Sequence, residues 1–95
     1  MSLIEQMANI GSEVERALNW KEKNKPDYSE KAFVRALELL ELTLKDPKNR
    51  LRINEIVRAK EALIDFFWDS NQYNSSASSW KSYFLQFLSA VRNTY

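Results

Sequence analysis

Apolar residues recur every three to four positions along most of this 95-residue chain. That spacing gathers them on one face of an α-helix. Four such segments are predicted, at residues 3–23, 28–45, 50–69 and 79–94. Two short turns containing Pro26 and Pro47 separate the first three, and a polar stretch rich in Ser and Asn precedes the fourth. Because short connections favour antiparallel neighbours, the pattern predicts an all-α fold, an up-and-down four-helix bundle.

The composition supports helices and a single domain. The chain holds one Gly and two Pro, whereas an all-β fold needs turn residues every 8–12 positions. A chain of this length is expected to form one helical domain over residues 1–95.

Three positions carry specific structural predictions. Gly11 lies beside the apolar stripe of the first helix, so either a neighbouring helix approaches closely or the helix breaks and Ser12 caps a new one. The second helix is apolar beyond its main face, which predicts that it is the most buried. Lys60 falls on the apolar face of the third helix, either snorkelling to the surface or paired with Glu38 or Glu41.

The sequence lacks residue types on which several classes of protein function depend. The chain has no Cys and no His, which removes disulfides, thiolate chemistry and the commonest general base and metal ligand. We therefore expect no catalytic residue, no cofactor and no metal site. The N-terminus has no signal-peptide pattern and no apolar stretch is long enough to span a bilayer, so a cytoplasmic location without membrane contact is expected.

An acidic stripe has two interpretations. Its carboxylates recur at helical spacing, and this pattern resembles the carboxylate clusters that hold Mg²⁺ in all-α nucleotide pyrophosphohydrolases. Hard cations such as Mg²⁺ prefer oxygen ligands. The alternative, which we favour, is a solvated face in which Arg58 pairs with Glu61. The carboxylates concerned are Glu61, Asp65 and Asp69 on the third helix and Glu38 and Glu41 on the second.

A basic cluster surrounds the second turn, formed by Lys45, Lys48, Arg50 and Arg52. It could contact phosphate, as in the RNA-binding helical domains of nucleotidyltransferase-associated (HEPN-type) proteins. Cations that follow a helix also complement its dipole, and the net charge of +1 offers little affinity from counterion release. Nucleic acid is therefore not the expected partner.

Two resemblances cover parts of the chain. Residues 17–49 resemble one tetratricopeptide hairpin through Trp20, Tyr28, Ala32, Ala36-Leu37 and the turn Asp46-Pro47-Lys48-Asn49. Residues 10–17, 20–23, 32–44 and 46–50 resemble a family of small prokaryotic all-helical proteins without an assigned activity. Both resemblances imply a helical fold, and neither assigns a functional residue.

Some apolar residues do not fit the main helix faces. Trp20, Val34, Leu42 and Leu85 lie off these faces and form the candidate interaction surface. Residues 66–95 hold nine of the twelve aromatic residues, and after Asp69 the only charged residues are Lys81 and Arg92. Such a surface predicts a non-enzymatic interaction protein that forms a homodimer. The alternatives are a nucleotide- or RNA-associated helical protein acting with a partner enzyme, and a Mg²⁺-dependent pyrophosphohydrolase.

Overall fold

A computed structural model describes residues 1–93, which form four α-helices, one 3₁₀ helix and no strand. The elements are α1 (Leu3–Glu22), α2 (Pro26–Lys45), the 3₁₀ helix (Pro47–Arg52), α3 (Ile53–Trp68) and α4 (Ala77–Asn93). The prediction of an all-α four-helix fold is confirmed. The predicted last residue of the fourth helix, 94, lies outside the described residues.

Local side-chain caps set several of the helix ends. At α1, the Ser2 hydroxyl accepts from the Glu5 amide and the Glu5 carboxylate accepts from the Ser2 amide, which is a capping box. Ser76 and Ser79 make the same reciprocal pair at α4. This pair starts the helix two residues before the predicted position. In α2 the first residue is Pro26 rather than residue 28, because proline fits the first helical position.

The predicted start of the third helix at residue 50 is wrong, because α3 begins at Ile53. Residues 47–52 form the 3₁₀ helix instead, and Asn49 is buried within it. The Asn49 amide donates to the Gln6 side-chain oxygen at 2.8 Å and to the Thr43 carbonyl at 2.9 Å. Asn49 therefore joins α1, α2 and the 3₁₀ helix, a long-range role that local sequence does not reveal.

The central helix is α1, and the prediction that helix 2 is the most buried is wrong. Along α1 the core residues Ile10, Val14, Ala17 and Leu18 are almost completely buried. Both α2 and α4 pack on α1, whereas α3 packs mainly on α2. Two neighbours can approach α1 because its contact face includes small residues.

Gly11 confirms the interpretation of close helix approach. The helix continues through this position, so the alternative of a break capped by Ser12 is wrong. A Cβ atom placed on Gly11 would lie 2.8 Å from the Phe84 Cβ of α4. The α1–α4 contact therefore depends on the missing side chain.

Lys60 and Glu41 form an ion pair between α3 and α2. The Lys60 side chain is 29% exposed and the Glu41 side chain 45%, so the ammonium is neither fully buried nor free in solvent. The hydrogen bond from Lys60 and its positive charge lower the pKa of the Glu41 carboxyl. Of the two alternatives for Lys60, pairing with Glu41 is the correct one, and the ion pair is partly exposed to solvent.

Replacing Lys60 with Met should raise the Glu41 pKa back toward its ordinary value. A lowered carboxyl pKa adds to the free energy of unfolding, in full above the pKa of the unfolded state. This contribution is lost as the pH falls through the pKa of the folded state. Carboxyl-detected NMR titration of the wild type and Lys60→Met measures the change, with Glu38 as the reference carboxyl. At pH 7 the thermal midpoint should change by less than about 5 °C, since the pair is partly exposed. An unchanged Glu41 titration would contradict the pairing.

Candidate interaction surface

The four residues predicted for the interaction surface lie on three helices. Val34 and Leu42 on α2 are 39% and 64% exposed, and Leu85 on α4 is 54% exposed. Trp20 on α1 is partly buried and stacks on Tyr28, with ring centroids 4.8 Å apart. Trp20 therefore has an intramolecular partner. The interaction role of the three exposed side chains stays a prediction.

An open groove runs between α3 and α4, and we call it the α3–α4 groove. Both helices contribute residues to it, but they make few direct backbone contacts with each other. Its volume is about 640 Å³. On the α3 side lie Ala59 and Ala62, and on the α4 side lie Trp80 and Tyr83. Small residues facing two aromatic rings leave space that a helix or a second surface can enter.

Charged and polar groups stand along the same groove. Glu55 and Arg58 on α3 line it, as do the Ser75 and Ser79 positions before and in α4. Partial burial, with a smaller contribution from the negative charge of Glu55, raises the pKa of Tyr83 above its ordinary value. The Tyr83 hydroxyl therefore stays protonated at neutral pH and can donate a hydrogen bond.

Trp80, which lines this groove, has an unsatisfied hydrogen-bond donor. The residue is 7% exposed, and its indole Nε1–H finds no acceptor anywhere in residues 1–93. A buried donor without an acceptor costs folding free energy, of order 1–3 kcal/mol. Its ring also packs at 6.0 Å on Phe84, the residue that contacts Gly11. Trp80 thus links the groove to the α1–α4 contact.

Asp65, the middle carboxylate of the acidic stripe on the third helix, is turned into the loop that follows. Asp65 is buried, and its carboxylate accepts the backbone N–H groups of Gln72 at 2.9 Å and Tyr73 at 3.0 Å. The part of the chain that the structure describes contains no group of three or more metal-ligating side chains. The expected pairing of Arg58 with Glu61 is also missing there. Asp65 orders the loop between α3 and α4 and does not belong to a solvated face.

The basic cluster is partly neutralised by neighbouring acids. Lys48 pairs with Asp46, and the side-chain and backbone hydrogen bonds from Lys48 lower the pKa of that carboxyl. Arg52 lies 3.5 Å from Glu55. Within residues 1–93, Lys45 and Arg50 form no ion pair. Only two of the four cations in the basic cluster are therefore unpaired, which leaves a smaller positively charged surface for phosphate.

Comparisons with known proteins add no relative. No protein-family model, no curated protein and no solved structure matches this chain. The geometry of the chain itself therefore has to support any functional proposal. No helix among the described residues is long and apolar enough to cross a membrane.

The groove residues are the ones that sequence reasoning missed. In the sequence, Ala59 and Ala62 look like ordinary helix-forming residues. Their spacing of three places the two alanines on one side of α3. That signal was present in the sequence, but it becomes informative only when α4 is known to leave this side of α3 open.

Proposed function

We propose that this protein is a non-enzymatic helical interaction module, and that two copies pair through the α3–α4 groove. The observation that carries the proposal is the groove itself, because α3 and α4 leave an opening of about 640 Å³. Ala59 and Ala62 would allow the close approach of a second α3. The partly exposed ring of Tyr83 would supply apolar contact area, and tyrosine is enriched among the residues that dominate interfaces.

The rim charges support a second copy as the occupant. Glu55 and Arg58 carry opposite charges on the same side of α3. A two-fold axis across the groove would bring the Glu55 side of one copy toward the Arg58 side of the other. Isologous interfaces require this kind of self-complementary surface.

Light scattering over a range of concentrations tests self-association. At micromolar concentration we expect about twice the 11.2 kDa chain mass, since a well-packed apolar interface commonly reaches this affinity. A mass that stays at one chain up to about 100 μM would remove the dimer proposal.

Matched variants locate the interface. Ala62→Arg places an unpaired charge in the groove and should weaken pairing at least about 100-fold. Ser89→Arg adds the same charge at an exposed position of α4 that does not line the groove, and it should pair normally. Circular dichroism checks that both variants are folded. Dimers that survive Ala62→Arg but dissociate on Leu42→Arg or Leu85→Arg would move the interface to the exposed surface predicted from sequence.

A further inference from the structure

The 3₁₀ helix between α2 and α3 presents an apolar side chain to solvent. Leu51 is 93% exposed, more than any other large apolar residue that the structure describes. A single exposed leucine is common on protein surfaces, so its surroundings decide whether it has a role. None of residues 45–53 lines the α3–α4 groove. An inference about this turn is therefore independent of the proposed dimer.

The 3₁₀ helix holds Leu51 in its exposed position. Asn49 is buried and anchors the turn through its hydrogen bonds to Gln6 and Thr43. In a 3₁₀ helix, side chains three residues apart lie one above the other. Leu51 therefore shares a side with the exposed Lys48, and the inward-facing Asn49 lies on a different side. A side chain that is already fixed in an outward position loses little conformational entropy when a partner covers it.

The basic cluster surrounds Leu51 along the chain. Arg50 and Arg52 flank it directly, and all four cations of the cluster are exposed. Within residues 1–93, Lys45 and Arg50 form no ion pair. The two acidic residues between positions 45 and 55 pair with the other two cations, so this segment keeps a net positive charge. The surface combines positive charge with a protruding apolar side chain.

An anionic membrane surface matches both features. Its headgroups attract Lys and Arg side chains, and the boundary between headgroups and acyl chains accepts apolar side chains. A single-stranded nucleic acid would match the positive charge, but its bases stack on aromatic rings. Residues 45–53 contain no aromatic residue. The exposed Leu51 therefore favours a lipid surface over a nucleic acid.

We propose that residues 45–53 dock on the surface of an anionic membrane, with Leu51 entering the headgroup boundary and the basic cluster contacting the anionic headgroups. The expectation of no membrane contact rests on the lack of a signal peptide and of a spanning segment, and a surface contact needs neither. One apolar side chain and a small net charge give weak, reversible binding that depends on anionic lipid.

Sedimentation of the full chain with sucrose-loaded vesicles tests the proposal. With about 40% phosphatidylserine in phosphatidylcholine, at about 0.1 M salt, half of the protein should sediment at roughly 1–5 mM lipid. Vesicles of pure phosphatidylcholine should bind at least about tenfold more weakly. NMR with a spin-labelled lipid in the anionic vesicles locates the contact. The amide signal of Leu51 should broaden, and that of Trp68, at the far end of α3, should not.

Matched variants separate the apolar and the charged contributions. Leu51→Ser should weaken binding at least about fivefold, and the double variant Lys45→Gln, Arg50→Gln about 20-fold. Tyr73→Ser removes an exposed apolar side chain elsewhere in the molecule, and Arg35→Gln removes an exposed cation that forms no ion pair in the described residues. Both controls should bind like the wild type. Circular dichroism checks that every variant is folded.

Three results would overturn the proposal. The first is sedimentation of less than about a tenth of the protein at about 10 mM of the anionic lipid mixture. The second is a folded Leu51→Ser variant that binds the vesicles as tightly as the wild type. The third is tighter binding to a single-stranded uridine oligonucleotide than to vesicles at equal phosphate concentration, unaffected by Leu51→Ser, which would assign the basic cluster to nucleic acid.

Discussion

Replacing Gly11 with Val should lower the free energy of unfolding by about 3 kcal/mol, because the new side chain would occupy space that α4 already fills. A Cβ atom at Gly11 would lie 2.8 Å from the Phe84 Cβ and 2.9 Å from Phe84 Cδ1. Both Cβ atoms belong to helices in the core, so neither can move without shifting a helix. Chemical denaturation followed by circular dichroism measures the loss, and the thermal midpoint should fall by more than about 10 °C.

Two further variants separate the clash from helix propensity. In Gly11→Ala the higher helix propensity of alanine stabilises α1 by about 1 kcal/mol. The new Cβ atom still clashes with the Phe84 Cβ, so the variant should be slightly less stable than the wild type. Ser12→Ala changes the adjacent, exposed position and should be neutral or stabilising. A stabilised Gly11→Ala protein would mean that α4 does not approach α1 as closely as the structure has it.

Replacing Asp65 with Ala should cost about 2–3 kcal/mol and free the loop that connects α3 to α4. The Asp65 carboxylate accepts two backbone N–H groups, those of Gln72 and Tyr73. Hydrogen bonds to a charged acceptor are worth about 1.5–3 kcal/mol. Without them the two amides would lose their partners, and hydrogen exchange at both should become faster. Denaturation curves measure the free energy, and exchange NMR measures the loop.

Asp69→Ala is the matched control for the loop prediction. It also removes one carboxylate from the same region, but Asp69 is exposed and its side chain makes no hydrogen bond or ion pair in the described part of the chain. Its effect should stay within about 0.5 kcal/mol. If Asp65→Ala and Asp69→Ala behave alike, the carboxylate does not hold the loop.

The candidate sites show where sequence reasoning stops. Val34, Leu42 and Leu85 break the helical pattern, and they are exposed. Trp20 also breaks the pattern, but Tyr28 of the next helix covers one of its faces. A pattern within one helix cannot reveal a partner on another helix. The α3–α4 groove escaped prediction for the same reason, because it combines residues from different helices.

Charged residues illustrate the same limit. Asp65 has the spacing of a solvated stripe with Glu61 and Asp69, yet the following loop folds back over it and supplies two donors. The place of Lys60 on an apolar face of the sequence pattern predicts a partner on α2, either Glu38 or Glu41. Which of the two pairs with Lys60 depends on the register between α2 and α3, and in the structure it is Glu41.

The sequence by itself determined the helical class, the number and order of the α-helices and, within residues 1–93, their ends to within three residues. These features depend on the apolar period and on caps, prolines and polar turns that act within about four residues. Only the tertiary structure decided that α1 is central, that α4 packs on Gly11 and that α3 and α4 leave a groove open. The physical reason is that helix packing depends on the shapes of side chains far apart in sequence, since small residues admit a neighbour and large ones keep it away.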